Sequence, residues 1–128
     1  MYPSDRVYSR DHEWVRVEGD MCVVGITHFA QEELGEVVFV ELPSVGDVFD
    51  SRQEIGTIES VKAVAEVYTP VAGEVVEIND AAVADPTVVN EDPHGDGWLV
   101  KLRFSAASDL DDLMDAEAYE RFVQGEEG

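Results

Sequence analysis

Cysteine occurs once in the 128 residues, at Cys22, so no disulfide can form within the chain and its cysteine usage gives no sign of an oxidising compartment. Cys22 lies in Met21-Cys22-Val23-Val24, which reads as a buried strand in which cysteine serves as a small hydrophobe rather than a reactive thiol. No apolar run approaches the roughly 20 residues needed to span a bilayer. Met1-Tyr2-Pro3-Ser4-Asp5 has neither the basic and apolar regions of a signal peptide nor the Arg-rich, acid-poor character of a transit sequence, so a cytoplasmic protein is expected. Positive charge is also scarce: 8 Lys and Arg stand against 29 Asp and Glu, a formal net charge of -21. Without a Lys/Arg face, neither nucleic acid nor an anionic membrane is expected as a partner. Repulsion of this size destabilises a compact chain unless counter-ions screen it, and with lysine depleted and Asp abundant it is read as a halophilic adaptation.

The residue patterns of an enzyme are missing too. There is no Gly-rich phosphate loop and no GxSxG elbow, the serines are scattered, and carboxylates are so numerous that a catalytic pair cannot be told from surface charge. His12 and His28 have no neighbours at metal-ligand spacing and read as satisfied or solvated histidines.

Against that background one lysine stands out. The chain has two, and Lys101 lies inside the strand-like run Trp98 to Phe104, whereas Lys62 lies between Gly56-Thr57-Ile58-Glu59 and Val64 to Thr69, two runs rich in Thr, Ile, Val and Tyr. Pro70-Val71-Ala72-Gly73 ends the second run, which makes a hairpin with Lys62 near its tip. The tip has no Gly or Asn for positive φ, so a four- or five-residue loop around a type I turn is predicted, with the lysine in solvent. A primary amine can be acylated to a stable amide by a carboxylic-acid cofactor such as lipoate or biotin, and arginine cannot take that role.

Elsewhere turn signals follow one another too closely for βαβ crossovers, so a mainly β, largely antiparallel fold with short helices is predicted. Glu13 to Glu18 and Met21 to Ile26 flank Gly19-Asp20 as a hairpin, and Thr27 caps a helix from His28 to Leu34 that Gly35 ends. Glu36 to Leu42 alternates as a strand apolar on both faces, Val48-Phe49 and Glu74 to Ile78 are further strands, and Asp85-Pro86 interrupts a helix-like stretch from Asp80 to Val89. Ser108 and Asp115 are predicted to cap helices over Asp109 to Met114 and Ala116 to Val123, while residues before Val7 and after Val123 are expected to be loose. One domain is expected over 1–128, with its core at about 7–104 and its C-terminal helices at about 108–123.

Glu59-Ser60-Val61-Lys62-Ala63, followed by Pro70-Val71-Ala72-Gly73-Glu74-Val75, closely resembles the attachment hairpin of the glycine cleavage system H proteins. The likeness continues in His12-Glu13-Trp14-Val15, in Ala30 to Pro43 and in Asn90 to Lys101, in the family's order, and runs from about Tyr8 to Phe122. His28, His94 and Ala65 depart from residues common in the family at those positions. The resemblance implies a small antiparallel barrel-sandwich hybrid of the lipoyl/biotinyl carrier type with peripheral and C-terminal helices. It implies a monomeric, non-catalytic carrier with lipoate in amide linkage on Lys62. Such a carrier moves the aminomethyl group of glycine from the pyridoxal-phosphate glycine decarboxylase to the tetrahydrofolate-dependent aminomethyltransferase, after which the FAD-containing dihydrolipoamide dehydrogenase reoxidises the arm. A lipoate ligase or octanoyl transferase would load Lys62, and the resemblance places Glu13 and Glu66 near the arm as candidates for shielding it. A biotin carboxyl carrier would usually set its lysine between methionines, where this chain has Val61 and Ala63, and lipoyl domains of 2-oxoacid dehydrogenases generally lack the front hairpin and C-terminal helices. An unmodified binding module remains the rival of another class.

Overall fold

The computed structural model describes residues 2–127. Two antiparallel sheets carry the architecture. The first is built from β1 (Val7–Tyr8), β2 (Glu13–Glu18), β3 (Met21–Ile26), β5 (Val48–Phe49), β8 (Gly73–Ile78) and β9 (Val100–Phe104), in the spatial order β1-β2-β3-β9-β8-β5. The second has the order β4-β6-β7, from β4 (Val37–Glu41), β6 (Glu54–Ser60) and β7 (Val64–Tyr68). Between them Val15, Val24, Val40, Ile58, Val75, Val100 and Leu102 form the central core. A second cluster of Tyr8, Trp14, Val23, Phe29, Tyr119 and Val123 lies where helix α4 (Ala116–Glu127) covers the first sheet. Each fully buried aliphatic or aromatic side chain here contributes about 1.5–3 kcal/mol of transfer free energy.

The Gly19-Asp20 hairpin forms as predicted, with φ of 66° at Gly19 and register from Glu18↔Met21 to Glu13↔Ile26. Trp14 and Gly25 are direct partners in it, and a Cβ at Gly25 would lie 2.6 Å from the indole, so the absence of a side chain there lets Trp14 lie flat. Helix α1 (His28–Leu34) starts and stops where its caps predict: the Thr27 hydroxyl accepts from the Ala30 amide at 3.2 Å, and the Gly35 amide donates to the Gln31 carbonyl at 2.9 Å. Asp85-Pro86 separates two short helices, α2 (Asp80–Ala84) and α3 (Thr87–Glu91).

Four expectations are corrected. The segment before Val7 is packed, not loose: Tyr2 makes an edge contact with Tyr119 at 5.0 Å, and buried Arg6 lies 4.5 Å above the Trp14 ring. A bulge between Val37 and Phe39 breaks the alternation expected in β4, so Val37 and Val40 are buried while Val38 and Phe39 are each 47% exposed. Ser108 does not cap a helix but lies inside a 3₁₀ turn, Ala107–Leu110, whose flanking Ala106 has no side chain to bond the backbone. Asp115 does cap α4, accepting from the Ala118 amide at 2.8 Å, but the helix runs to Glu127 rather than stopping at Val123. The loose end expected beyond Val123 therefore concerns Gly128 alone, which lies outside the described residues.

Candidate functional site

The loop joining β6 to β7 is held by its own serine. Ser60 donates its amide to the Ala63 carbonyl at 2.8 Å, and its hydroxyl accepts from the amides of Lys62 (3.3 Å) and Ala63 (3.0 Å). A serine oxygen thus takes the place of the carbonyl that would otherwise close a tight turn, which explains how a loop with no positive φ in residues 60–63 is stable. The Val61 amide donates to the Glu36 carbonyl at 3.0 Å, tying the tip to the segment between α1 and β4. Lys62 is exposed at this tip, and its Cε lies 3.4 Å from where a Cβ on Gly35 would stand. Gly35 has φ 78° and ψ -152°, a region adopted almost only by glycine. It ends α1 and leaves room for the lysine stem to cross. Lys101, by contrast, is half-buried, with its ammonium 3.6 Å from Glu77 and 5.2 Å from the Trp98 ring.

Beside the hairpin lies a cleft of about 230 Å³. One wall is the hairpin itself, through Ile58, Ala65, Glu66 and Val67, and the other is α1, through Phe29, Ala30, Glu33 and Leu34. Ile26 lies in the cleft too, and Asp11 and His12 from the turn between β1 and β2, with Glu13 at the start of β2, complete it. The lining is aliphatic and aromatic over most of its extent, and its charged groups are carboxylates. At the strand rise of about 3.3 Å per residue, Ala65 is only about 10 Å along the chain from Lys62.

Glu13 is 2% exposed. Its carboxylate accepts from the Ser9 hydroxyl at 2.6 Å and from the Tyr68 amide at 3.3 Å, so it ties the front hairpin to the free edge of β7. Burial disfavours its charged form and pushes its pKa up to about 7, with the two hydrogen bonds opposing the rise. Glu66 lines the same cleft but is exposed. The structure therefore brings Glu13 and Glu66 together on one cleft in very different surroundings. Sequence reasoning missed the wall from α1, and it missed Asp11 and Glu33. The amphipathic pattern of Phe29, Ala30 and Leu34 marks a packing face, but which strand that face meets is a tertiary fact.

The histidines have other partners. The Nδ1 of His12 is 2.7 Å from the Tyr119 hydroxyl, and His28 pairs with Glu32 at 2.7 Å. His94 Nε2 accepts from the His28 amide at the start of α1 (3.1 Å), and burial pulls the His94 pKa down to about 4. No group of His, Cys, Asp and Glu among the described residues is arranged to hold a metal ion, and no helix among them is long and apolar enough to cross a membrane.

A sequence model described as "Glycine cleavage H-protein" matches residues 6–126. The "Glycine cleavage system H protein" of Rubrobacter xylanophilus is 54% identical over 125 residues, 98% of this chain and 97% of that protein. The protein of the same name from Nitratidesulfovibrio vulgaris is 51% identical over 124 residues, 97% of this chain and 96% of that protein. Among solved structures, the crystal structure of a glycine cleavage system H protein from Mycobacterium marinum superposes with a TM-score of 0.87 at 40% identity, covering 94% of this chain and 97% of that one.

Proposed function

The chain belongs to the glycine cleavage H-protein family, and from that premise we propose that Lys62 bears lipoate in amide linkage and that the cleft beside it receives the arm. Its function is that of the lipoyl carrier of the glycine cleavage system. It shuttles the aminomethyl group of glycine from the glycine decarboxylase to the aminomethyltransferase, and dihydrolipoamide dehydrogenase then reoxidises the arm. The chain itself is a carrier and catalyses nothing. A lipoate ligase or octanoyl transferase loads it, and it works as a cytoplasmic monomer.

The observation that carries this reading is an exposed amine at the tip of a pinned hairpin, next to an apolar cleft whose charged groups are all acidic. Lipoate, when bound, supplies the disulfide that takes up the one-carbon group together with two electrons. What the chain supplies is position and shelter. Ile26, Phe29, Leu34, Ile58 and Val67 offer carbon surface against which an aliphatic arm leaves water, at about 25 cal/mol per Å² buried. Glu13 and Glu66 offer acceptors to a terminal ammonium, with Glu13 fixed in place by Ser9 and Tyr68. Glu33 and Asp11 add negative potential at the cleft.

Peptide mapping after co-production with a lipoate ligase tests the assignment. One lipoyl group is expected on Lys62 and none on Lys101, and Lys62→Arg should abolish loading. An adduct on Lys101, or a loaded Lys62→Arg protein, would overturn it. On the loaded carrier, Glu66→Ala should release ammonia faster than the unsubstituted protein when the transferase is absent, and equal release would remove the shielding role.

A further inference from the structure

The strip Gly35-Glu36-Val37 lies under the attachment loop, and one side chain from elsewhere in the chain holds it. Asn90, on α3, accepts from the Val37 amide at 2.8 Å and donates to the Gly35 carbonyl at 2.8 Å and to the Gln31 side chain at 2.9 Å. Its carboxamide therefore bridges the last turn of α1, the glycine that ends that helix and the first residue of β4. The bridged strip meets the loop at two points. The Glu36 carbonyl accepts the Val61 amide at 3.0 Å, and Val37 is the register partner of Ser60, the residue that holds the loop together. The Lys62 stem then crosses above Gly35.

The bond pattern suits asparagine alone. The site asks for one acceptor and two donors on a short planar group, facing an N–H on one side and two carbonyl-type oxygens on the other. Aspartate would keep the acceptor for Val37 but set a negative charge against the Gly35 and Gln31 oxygens. Alanine would leave the Val37 amide and the Gly35 carbonyl without that partner. Gly35 adds a reason for the clamp: a φ of 78° with ψ near -150° gives the backbone little intrinsic preference for its path, so an outside group must fix it.

We propose that Asn90 is a positioning residue for the acceptor lysine, holding the Gly35 to Val37 strip so that Val61 is pinned and the Lys62 amine is presented in one orientation to the acylating enzyme. The proposal rests on the reading of Lys62 as the lipoyl acceptor. Asn90 does not line the cleft and touches neither the arm's path nor the amine. Its effect on the lysine passes through the Gly35 to Val37 backbone.

Two readouts on the full chain test it, with Val75→Ala as the control, because Val75 is fully buried in the core on β8 and does not line the cleft. The first is amide hydrogen exchange. In Asn90→Ala the Val61 and Val37 amides should both exchange faster, whereas in Asn90→Asp Val61 should accelerate while Val37 keeps its acceptor and stays protected. The second is kcat/KM for lipoate transfer to Lys62 by a purified ligase, where Asn90→Ala should fall about tenfold, the scale of one lost hydrogen bond, and Val75→Ala should not. If Asn90→Ala matches Val75→Ala both in Val61 exchange and in acylation, the positioning role is overturned. If the unsubstituted protein takes lipoate somewhere other than Lys62, the functional reading fails instead, and the exchange pattern still decides whether Asn90 clamps the loop.

Discussion

Glu13 is a carboxyl that folding places where its charge is costly, and this has a consequence for pH. In the unfolded chain it titrates near 4.5, and in the folded one near 7. Below the lower value both states hold the proton and the group makes no difference. Between the two the unfolded state ionises while the folded state stays neutral, so stability drains away as pH rises, reaching about 3 kcal/mol above pH 7. Glu13→Gln keeps an acceptor for the Tyr68 amide and can donate to Ser9, but it cannot ionise. Its denaturation midpoint should lie close to that of the unsubstituted protein at pH 4.5 and move ahead of it by pH 8, and parallel midpoints across that range would refute the buried titration. At this scale the exposed place of Lys62 at a hairpin tip was legible from the strand-like runs on either side of it. Glu66 was named only through a likeness to other sequences. Asn90 could not be read as a clamp, since its three partners lie 53 to 59 residues away in sequence.

Among the elements, α4 reaches furthest from its own neighbourhood. Tyr119 brings its hydroxyl within 2.7 Å of both the Thr27 hydroxyl and His12 Nδ1, so the C-terminal helix braces the cap of α1 and one corner of the cleft together. Tyr119→Phe keeps the ring stacked on Tyr8 but removes that link, and a loss of about 1–2 kcal/mol is expected from chemical denaturation. An unchanged midpoint would show that the hydroxyl braces nothing. Elements with a local cause were legible: Thr27 and Gly35 bound α1, Gly19 turns the front hairpin, and Pro86 divides α2 from α3. Those set by distant packing were not. The bulge in β4 answers to its pairing with β6, and the seating of α4 answers to the aromatic surface of Tyr8, Trp14 and Phe29 that Tyr119 and Val123 cover, neither of which shows in local periodicity.

For the molecule as a whole, charge is the dominant variable. Ion pairs exposed on both sides, such as Arg121 with Glu117 and Arg103 with Asp20, are worth at most about 1 kcal/mol each, so screening them loses little. The surplus of 21 negative charges has no such partners, and screening it relieves repulsion. We therefore read the composition as halophilic, and the melting temperature is expected to climb steeply as KCl rises into the molar range. A flat profile would remove that reading and leave the carrier assignment untouched. The antiparallel character of the fold was legible at this scale from turn spacing and its layering only from the family resemblance, but the placing of α1 across from β7, which creates the cleft, was not.

The hairpin β6–β7 carries the lysine at its tip and, a few residues further on, forms a wall of the cleft with Ile58, Ala65, Glu66 and Val67. On the proposed reading of Lys62, tether and berth are thus cut from one piece of ribbon, and a tilt of the tip is also a tilt of the berth's side wall.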